Sequence, residues 1–220
     1  LHSSLHDALP IWFSNWNEER HLRQQEVRAL ADIATNLREN IDVVRRNITQ
    51  DTEFVAACKR VTVALDRNEA WSSALGKDMM NCRWWTSPFF SSAAYESLKA
   101  KGTDLIEDPK VRSQIVRLYE QRYAFLVNDT DKVFWVFHLA VMEPVLNRHV
   151  YPVGPDEYRP NDYSSLVDSH EFGNMLRQKV EIQMGSIRDQ QTTLEETEKV
   201  LRVIENRLAG VSRRSGTPGL

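Results

Sequence analysis

The sequence predicts an all-α protein: an antiparallel helical bundle whose long N- and C-terminal helices pair as a coiled-coil-like stalk. Three observations carry this. Apolar residues recur at three- and four-residue steps along two long stretches, one toward each end of the chain. Only 8 glycines occur, and four of them follow Asn174, so the centre lacks the turn residues that an all-β fold requires. No segment demands a strand, although a short extended piece fits near Tyr151. The 220 residues, 41% hydrophobic and 27% charged, have the composition of a globular protein.

The first helix is expected from Glu18 to about Arg67. Leu30, Ile33, Leu37, Ile41, Val44, Ile48, Val55, Cys58 and Leu65 form its stripe, with one polar gap at Asp51. Glu26, Arg28, Arg38, Glu39, Arg45 and Arg46 occupy the other faces, and no proline or glycine interrupts the run. A helix of this length wants a partner helix. Asn68 to Phe90 reads as irregular: Gly76, Pro88 and clustered serines break the pattern, while aromatic residues load it.

Ser91 or Ser92 is suited to cap a short helix through Tyr95, Leu98 and Lys101, closed by Gly102. Asp108 and Pro109 open the next helix as N-cap and first helical residue. Its inner face is read as Ile115, Leu118, Tyr119, Arg122, Phe125 and Leu126. Helical character is expected to reach about His149, with a break near Asn128–Asp131 and a kink or end at Pro144. Tyr151 to Asp162, with three prolines and Gly154, is a loop. A last helix runs from Tyr163 to about Ala209, capped by Gly210. Its stripe, Leu176, Val180, Ile187, Leu194, Leu201, Ile204 and Leu208, is close to a seven-residue repeat.

Little in the chain points to catalysis. No glycine-rich phosphate loop, G-x-S-x-G elbow, H-E-x-x-H or C-x-x-C occurs. Asp168, His170 and Glu171 do not share a helix face, so no metal set is assigned. His138 sits in an apolar run and reads as a core histidine. The net charge of −3 gives no basic field for nucleic acid, and Arg45-Arg46 and Arg213-Arg214 are too small a pair of clusters to supply one. No catalytic, cofactor-binding or metal residue is assigned. Cys58 and Cys82 are buried thiols in a reducing compartment and a candidate pair in an oxidising one; the spacing leaves both open. Val133–Met142, the most apolar run, is too short to span a membrane and reads as a buried helix segment.

The N-terminus joins two unlike pieces. His6–Ile11 back-translates to CACGACGCTCTTCCGATC, the end of a common sequencing adapter, so residues 1–11 are expected to be a non-native leader. Residues 12–211 then form a single helical domain, and 212–220 a disordered tail. Trp12, Phe13 and Trp16 beside a charged helix start fit a membrane–water boundary.

Asn15-Trp16-Asn17-Glu18-Glu19-Arg20 forms an N-W-N-E-x-R motif. Further on, Ala94-Tyr95-Glu96-Ser97-Leu98-Lys99 is followed by Gly102, by Asp104-Leu105-Ile106 and by Val111–Tyr119. On these residues the chain resembles a family of uncharacterised bacterial single-span membrane proteins, a domain-of-unknown-function group. In that family a transmembrane helix runs directly into the N-W-N-E-x-R motif and a helical domain follows. The resemblance covers Ser14 to His149; the C-terminal helix matches in character only.

The resemblance implies a span that is missing here, with Asn15, Trp16, Asn17, Glu18 and Arg20 at the membrane exit. It also implies the bacterial inner membrane as location, with the bundle in the periplasm. The family assigns no catalytic residues, so none is carried over.

Two function classes follow. The first is a non-enzymatic, membrane-anchored helical domain with a protein-interaction or sensory role at the cell envelope. Its partner is unknown, and its candidate contact surface is Trp71, Trp84, Trp85, Phe89 and Phe90. The second is a soluble all-helical ligand-binding regulator or enzyme with a pocket inside the bundle, near His138, Glu143 or Tyr119. Homo-oligomerisation through the helix stripes is a third reading.

Overall fold

The computed structural model describes the backbone of residues 4–215 and the side chains of residues 16–211. These residues form an all-α bundle in which the two long helices pack together; one two-stranded sheet is the exception. The expected leader, 1–11, and the expected tail, 212–220, carry no described side chains.

Helix α1 spans Ser4–Asp66. Its expected stripe is the buried face: Leu30, Ile33, Leu37, Ile41, Val44, Val55, Cys58 and Leu65 are all buried, and Ile48 is half-buried. Asn68 ends the helix with a left-handed φ of 51°. Its N–H bonds to Leu65 O at 3.0 Å and the Glu69 N–H to Ala64 O at 2.9 Å. That pair of bonds satisfies carbonyls which the last turn would leave open.

The stretch read as irregular contains helix α2, Ser73–Arg83, capped by Ser72, whose hydroxyl accepts from Leu75 N at 3.3 Å. Gly76 obscured this helix in the sequence. It sits there because the Tyr158 backbone presses on it: an added Cβ would lie 2.3 Å from Tyr158 O. Helix α3, Ala93–Lys101, ends at Gly102 with φ 98°, as its sequence indicates. Helix α4, Pro109–Arg117, opens on Asp108, which accepts from Lys110 N at 2.8 Å and Val111 N at 3.4 Å.

From Pro109 to His149 the chain stays helical, through α4, α5 (Asp131–Phe137) and α6 (Glu143–His149). Three π-helical stretches join them: Leu118–Tyr123, Leu126–Thr130 and His138–Met142. Wider turns rotate the buried face. Tyr123 is therefore buried while Phe125, expected inside, is 38% exposed. No break occurs at Asn128–Asp131. Pro144 does not end the helix; it lies in the first turn of α6, directly after the π-helical stretch His138–Met142.

Strands β1 (Val150–Pro152) and β2 (Tyr158–Pro160) pair antiparallel, Tyr151 opposite Arg159, supplying the short extended piece. Helix α7, Tyr163–Val167, is separated from α8, His170–Ser215, by a break at Asp168-Ser169. There the Ser169 hydroxyl accepts from Phe172 N at 3.2 Å. Gly210 lies inside α8 and does not cap it.

The chain divides into two compact units, and both long helices contribute to each. The first comprises the described parts of Leu1–Ile41, Phe90–Gln121 and Glu196–Leu220; the second is Asp42–Phe89 with Arg122–Glu195. In the first unit, α1 and α8 run antiparallel, tied by Arg38–Glu205 at 2.7 Å and Arg207–Glu26 at 3.4 Å. Asn40 and Asn36 of α1 accept the Ser91 and Ala94 amides at 2.7 and 2.9 Å, seating α3. Tyr95 and Tyr119 stack with centroids 4.5 Å apart. In the second unit the core gathers Cys58, Val61, Met79, Cys82, Phe137, Met142, Leu146, Phe172 and Leu176. Cys58 and Cys82 are joined in a disulfide that ties α1 to α2, so the open alternative resolves to the pair.

Candidate functional site

The polar gap at Asp51 is not a gap in the packing. Asp51 is fully buried in the second unit and opens a polar cluster there. Its carboxylate accepts the Thr86 N–H and hydroxyl, each at 2.9 Å, and the Gln190 amide at 2.6 Å. Ser186 joins through Gln190 at 3.1 Å. Burial raises the Asp51 pKa; the bonds from Gln190 and Thr86 and the nearby Lys179 charge oppose the rise.

These groups belong to a seam. On α8, Leu176, Lys179, Gln183, Ser186, Gln190, Thr193, Thr197, Val200 and Ile204 are buried in alternating steps of three and four. Six consecutive positions of the buried seam are thus polar. Of the apolar residues read as the stripe, only Leu176 and Ile204 are buried; Val180, Ile187, Leu194, Leu201 and Leu208 are half-buried on its flank. The seven-residue spacing was legible, but the centre of the buried face was not.

Lys179 is the unusual member, an ammonium only 1% exposed. Its Nζ donates to Trp84 O at 3.0 Å and to Gln183 Oε1. It faces the Phe134 ring at 4.6 Å and the Trp85 ring at 5.7 Å. Burial pushes its pKa down to about 7, with the Asp51 charge pulling the other way. Gln183 Nε2 and Gln190 Oε1 are buried with no hydrogen-bond partner among the described residues, one a donor and one an acceptor.

A second polar group adjoins through Trp85, whose ring centroid is 5.4 Å from that of His138. His138 Nε2 lies 2.9 Å from Glu143 Oε1. Glu143 also accepts from Arg83, which donates through its other arm to Tyr158 OH at 3.1 Å. Burial lowers the His138 pKa; Glu143 opposes this, and the Arg83 and Lys179 charges add to it. The π-helical turn His138–Met142 begins at this histidine, and such turns recur at functional sites.

The surface beside this interior is apolar. Val133–Met142 is not wholly buried as its sequence suggested. Phe134, Phe137, His138 and Met142 face inward, while Val133, Trp135, Val136 and Leu139 are 50–63% exposed. Trp135 meets the Trp85 edge with centroids 5.1 Å apart.

The expected contact residues divide. Trp84 and Phe89 are 47% and 85% exposed. Trp85 is half-buried, stacked on Phe134 at 5.6 Å and bonded to Asp131 at 2.8 Å. Trp71 is half-buried, its Nε1 donating to Tyr158 O at 3.3 Å, and Phe90 is half-buried in the first unit. Trp135 and Leu139, also exposed, were not among the expected contact residues, because a helix apolar all round reads as buried.

Of the N-W-N-E-x-R residues, Trp16, Asn17, Glu18 and Arg20 are exposed, with the Arg20 guanidinium 5.7 Å from the Trp16 ring centre; Asn15 lies outside the described side chains. Glu171, weighed with His170 and Asp168 as a metal set, pairs instead with Arg148 and lies 3.7 Å from His149. Among the described residues no group of three His, Cys, Asp or Glu could hold a metal, and no helix is long and apolar enough to cross a membrane. No protein-family model, curated protein or solved structure matches the chain.

Proposed function

We propose that this chain is a non-catalytic helical interaction domain of the bacterial cell envelope, binding a protein partner through an exposed apolar face. The observation that carries the reading is Val133, Trp135, Val136 and Leu139 standing open on α5 and the π-helical turn after it. An apolar helix face left in water marks a contact site, and tryptophan is enriched where contacts hold most strongly. Trp84 extends the exposed aromatic surface of the same unit. The paired long helices serve as a stalk or lever.

Anchoring comes from a span preceding Asn15, on the strength of the N-W-N-E-x-R resemblance. The Cys58–Cys82 disulfide supports placing the bundle in an oxidising compartment such as the periplasm.

Photocrosslinkers at positions 135 and 139 test the contact face in cells. The reading requires a specific adduct at 135 that disappears in Leu139→Glu, one at 139 that disappears in Trp135→Glu, and none from a crosslinker at exposed Arg28. Equal labelling at all three positions sinks it. Sequencing the 5′ end of the native gene tests the anchor: a run of about 20 apolar residues leading into Asn15 sustains it, and a polar start removes it.

A second reading, a ligand-binding regulator, is favoured by the Lys179–Asp51 cluster with its two unpartnered amide atoms. It competes with the plainer role of polar seams in setting helix register.

A further inference from the structure

We propose that a groove along α4 in the first unit binds a small organic anion, a carboxylate carried on an apolar body. The groove offers about 440 Å3 and shares no residue with the exposed apolar face. Its lining holds two cations, Arg112 and Arg117, and no acid. Neither guanidinium has an ion-pair partner among the described residues, whereas Arg38 and Arg207 of the same unit are each held by a carboxylate. The planar fork of arginine matches a carboxylate with two parallel hydrogen bonds.

The helix start cannot serve as the anion site. The Asp108 carboxylate already takes the Lys110 and Val111 amides. Recognition therefore falls to side chains, and the Asp108 charge turns an anionic head away from Pro109 toward the arginines. Ser113, Gln121 and Thr103 bring neutral hydrogen-bonding groups to the lining. Val116 and Pro109 add apolar surface, which a bare inorganic ion would leave uncovered. The volume also exceeds that of such an ion, since a single water takes about 30 Å3, and it lies in the range of small-molecule sites.

The lining follows from the sequence: 109, 112, 113, 116 and 117 are neighbours on one helix face, continued to 121 through the π-helical turn, with Thr103 contributed by the 3₁₀ turn Thr103–Leu105.

The test is calorimetric titration of the full chain with benzoate, with its neutral counterpart benzamide and with inorganic phosphate. The expected result is saturable benzoate binding, none by benzamide and weaker binding by phosphate. In Arg112→Gln/Arg117→Gln, with helical circular dichroism unchanged, benzoate affinity should fall at least about tenfold, as losing charge-assisted bonds predicts. Arg112→Lys/Arg117→Lys, which keeps the charge but not the fork, should retain part of the affinity. Absence of saturable benzoate binding overturns the proposal. So do benzamide binding equally well, phosphate binding as tightly as benzoate, and full affinity in the glutamine variant.

Discussion

Gln190 donates a 2.6 Å hydrogen bond to Asp51 across 139 residues of sequence, and both side chains are sealed from solvent. Removing one member of such a pair leaves its partners buried and unpaired. Asp51→Ala strands the Thr86 amide and hydroxyl as well as Gln190, and should cost about 3 kcal/mol or more. Urea unfolding measures this. A loss under about 1 kcal/mol would mean that the Asp51 carboxylate does not hold the Thr86 and Gln190 bonds in the folded chain.

Lys179 makes stability depend on pH. Its pKa falls from 10.5 in the unfolded chain to about 7 in the folded one, so between those values the unfolded chain binds more protons. Its contribution therefore rises with pH across that window. Asp51, whose pKa is raised from 3.8, acts oppositely: the folded chain keeps the proton longer, and its contribution falls as pH climbs through the raised value. Unfolding midpoints of wild type and Lys179→Met, compared between about pH 7 and about pH 10, isolate the lysine. The wild type should gain relative to the variant as pH rises; parallel curves would refute the assignment.

The Cys58–Cys82 disulfide closes a sequence separation of 24 residues. Cys58→Ser/Cys82→Ser should lose about 3 kcal/mol, the usual worth of a loop of this size. Both sulfurs lie in buried residues, so the wild-type bond should resist mild reductant until the chain is partly unfolded. Denaturation with and without dithiothreitol checks both statements, and an unchanged midpoint in the double variant counts against the first.

Gly76 tests the seating of the hairpin on α2. An alanine Cβ would enter within 2.3 Å of Tyr158 O, a backbone atom unable to swing aside. Gly76→Ala should destabilise by about 1–3 kcal/mol, the range for overpacking, despite alanine's better helix propensity. Thermal melting decides: a raised Tm contradicts the close approach.

Two residues of α5, at positions i and i+2, should behave oppositely. Phe134 is 1% exposed and Val136 57% exposed. Phe134→Ala should cost about 3–5 kcal/mol, and Val136→Ser no more than about 0.5 kcal/mol. Chemical denaturation of the pair maps the boundary between core and contact face; a large loss at Val136 would place that face in packing.

Much of the fold is legible in the sequence alone. The α1 stripe, the Asp108-Pro109 helix start, the Gly102 stop and the extended piece at Tyr151 each rest on local rules, and each is found. Helix α2 was hidden because Gly76 reads as a breaker; its reason lies in Tyr158, far along the chain. The exposed aromatic band was half legible. Trp84 and Phe89 were identified, but Trp135 and Leu139 were placed inside because a fully apolar helix normally is.

The sequence by itself determined the periodicities: that a long helical stretch stands toward each end of the chain, and that apolar residues repeat along it every three or four positions. Spacing is a local property of the backbone, and a single chain segment carries it. Only the tertiary structure decided which side of α8 is buried, that Lys179 and Gln190 belong to that side, and that Asp51 meets them. A polar side chain can enter a core only where a distant partner replaces its lost water, and no local pattern records where that partner stands.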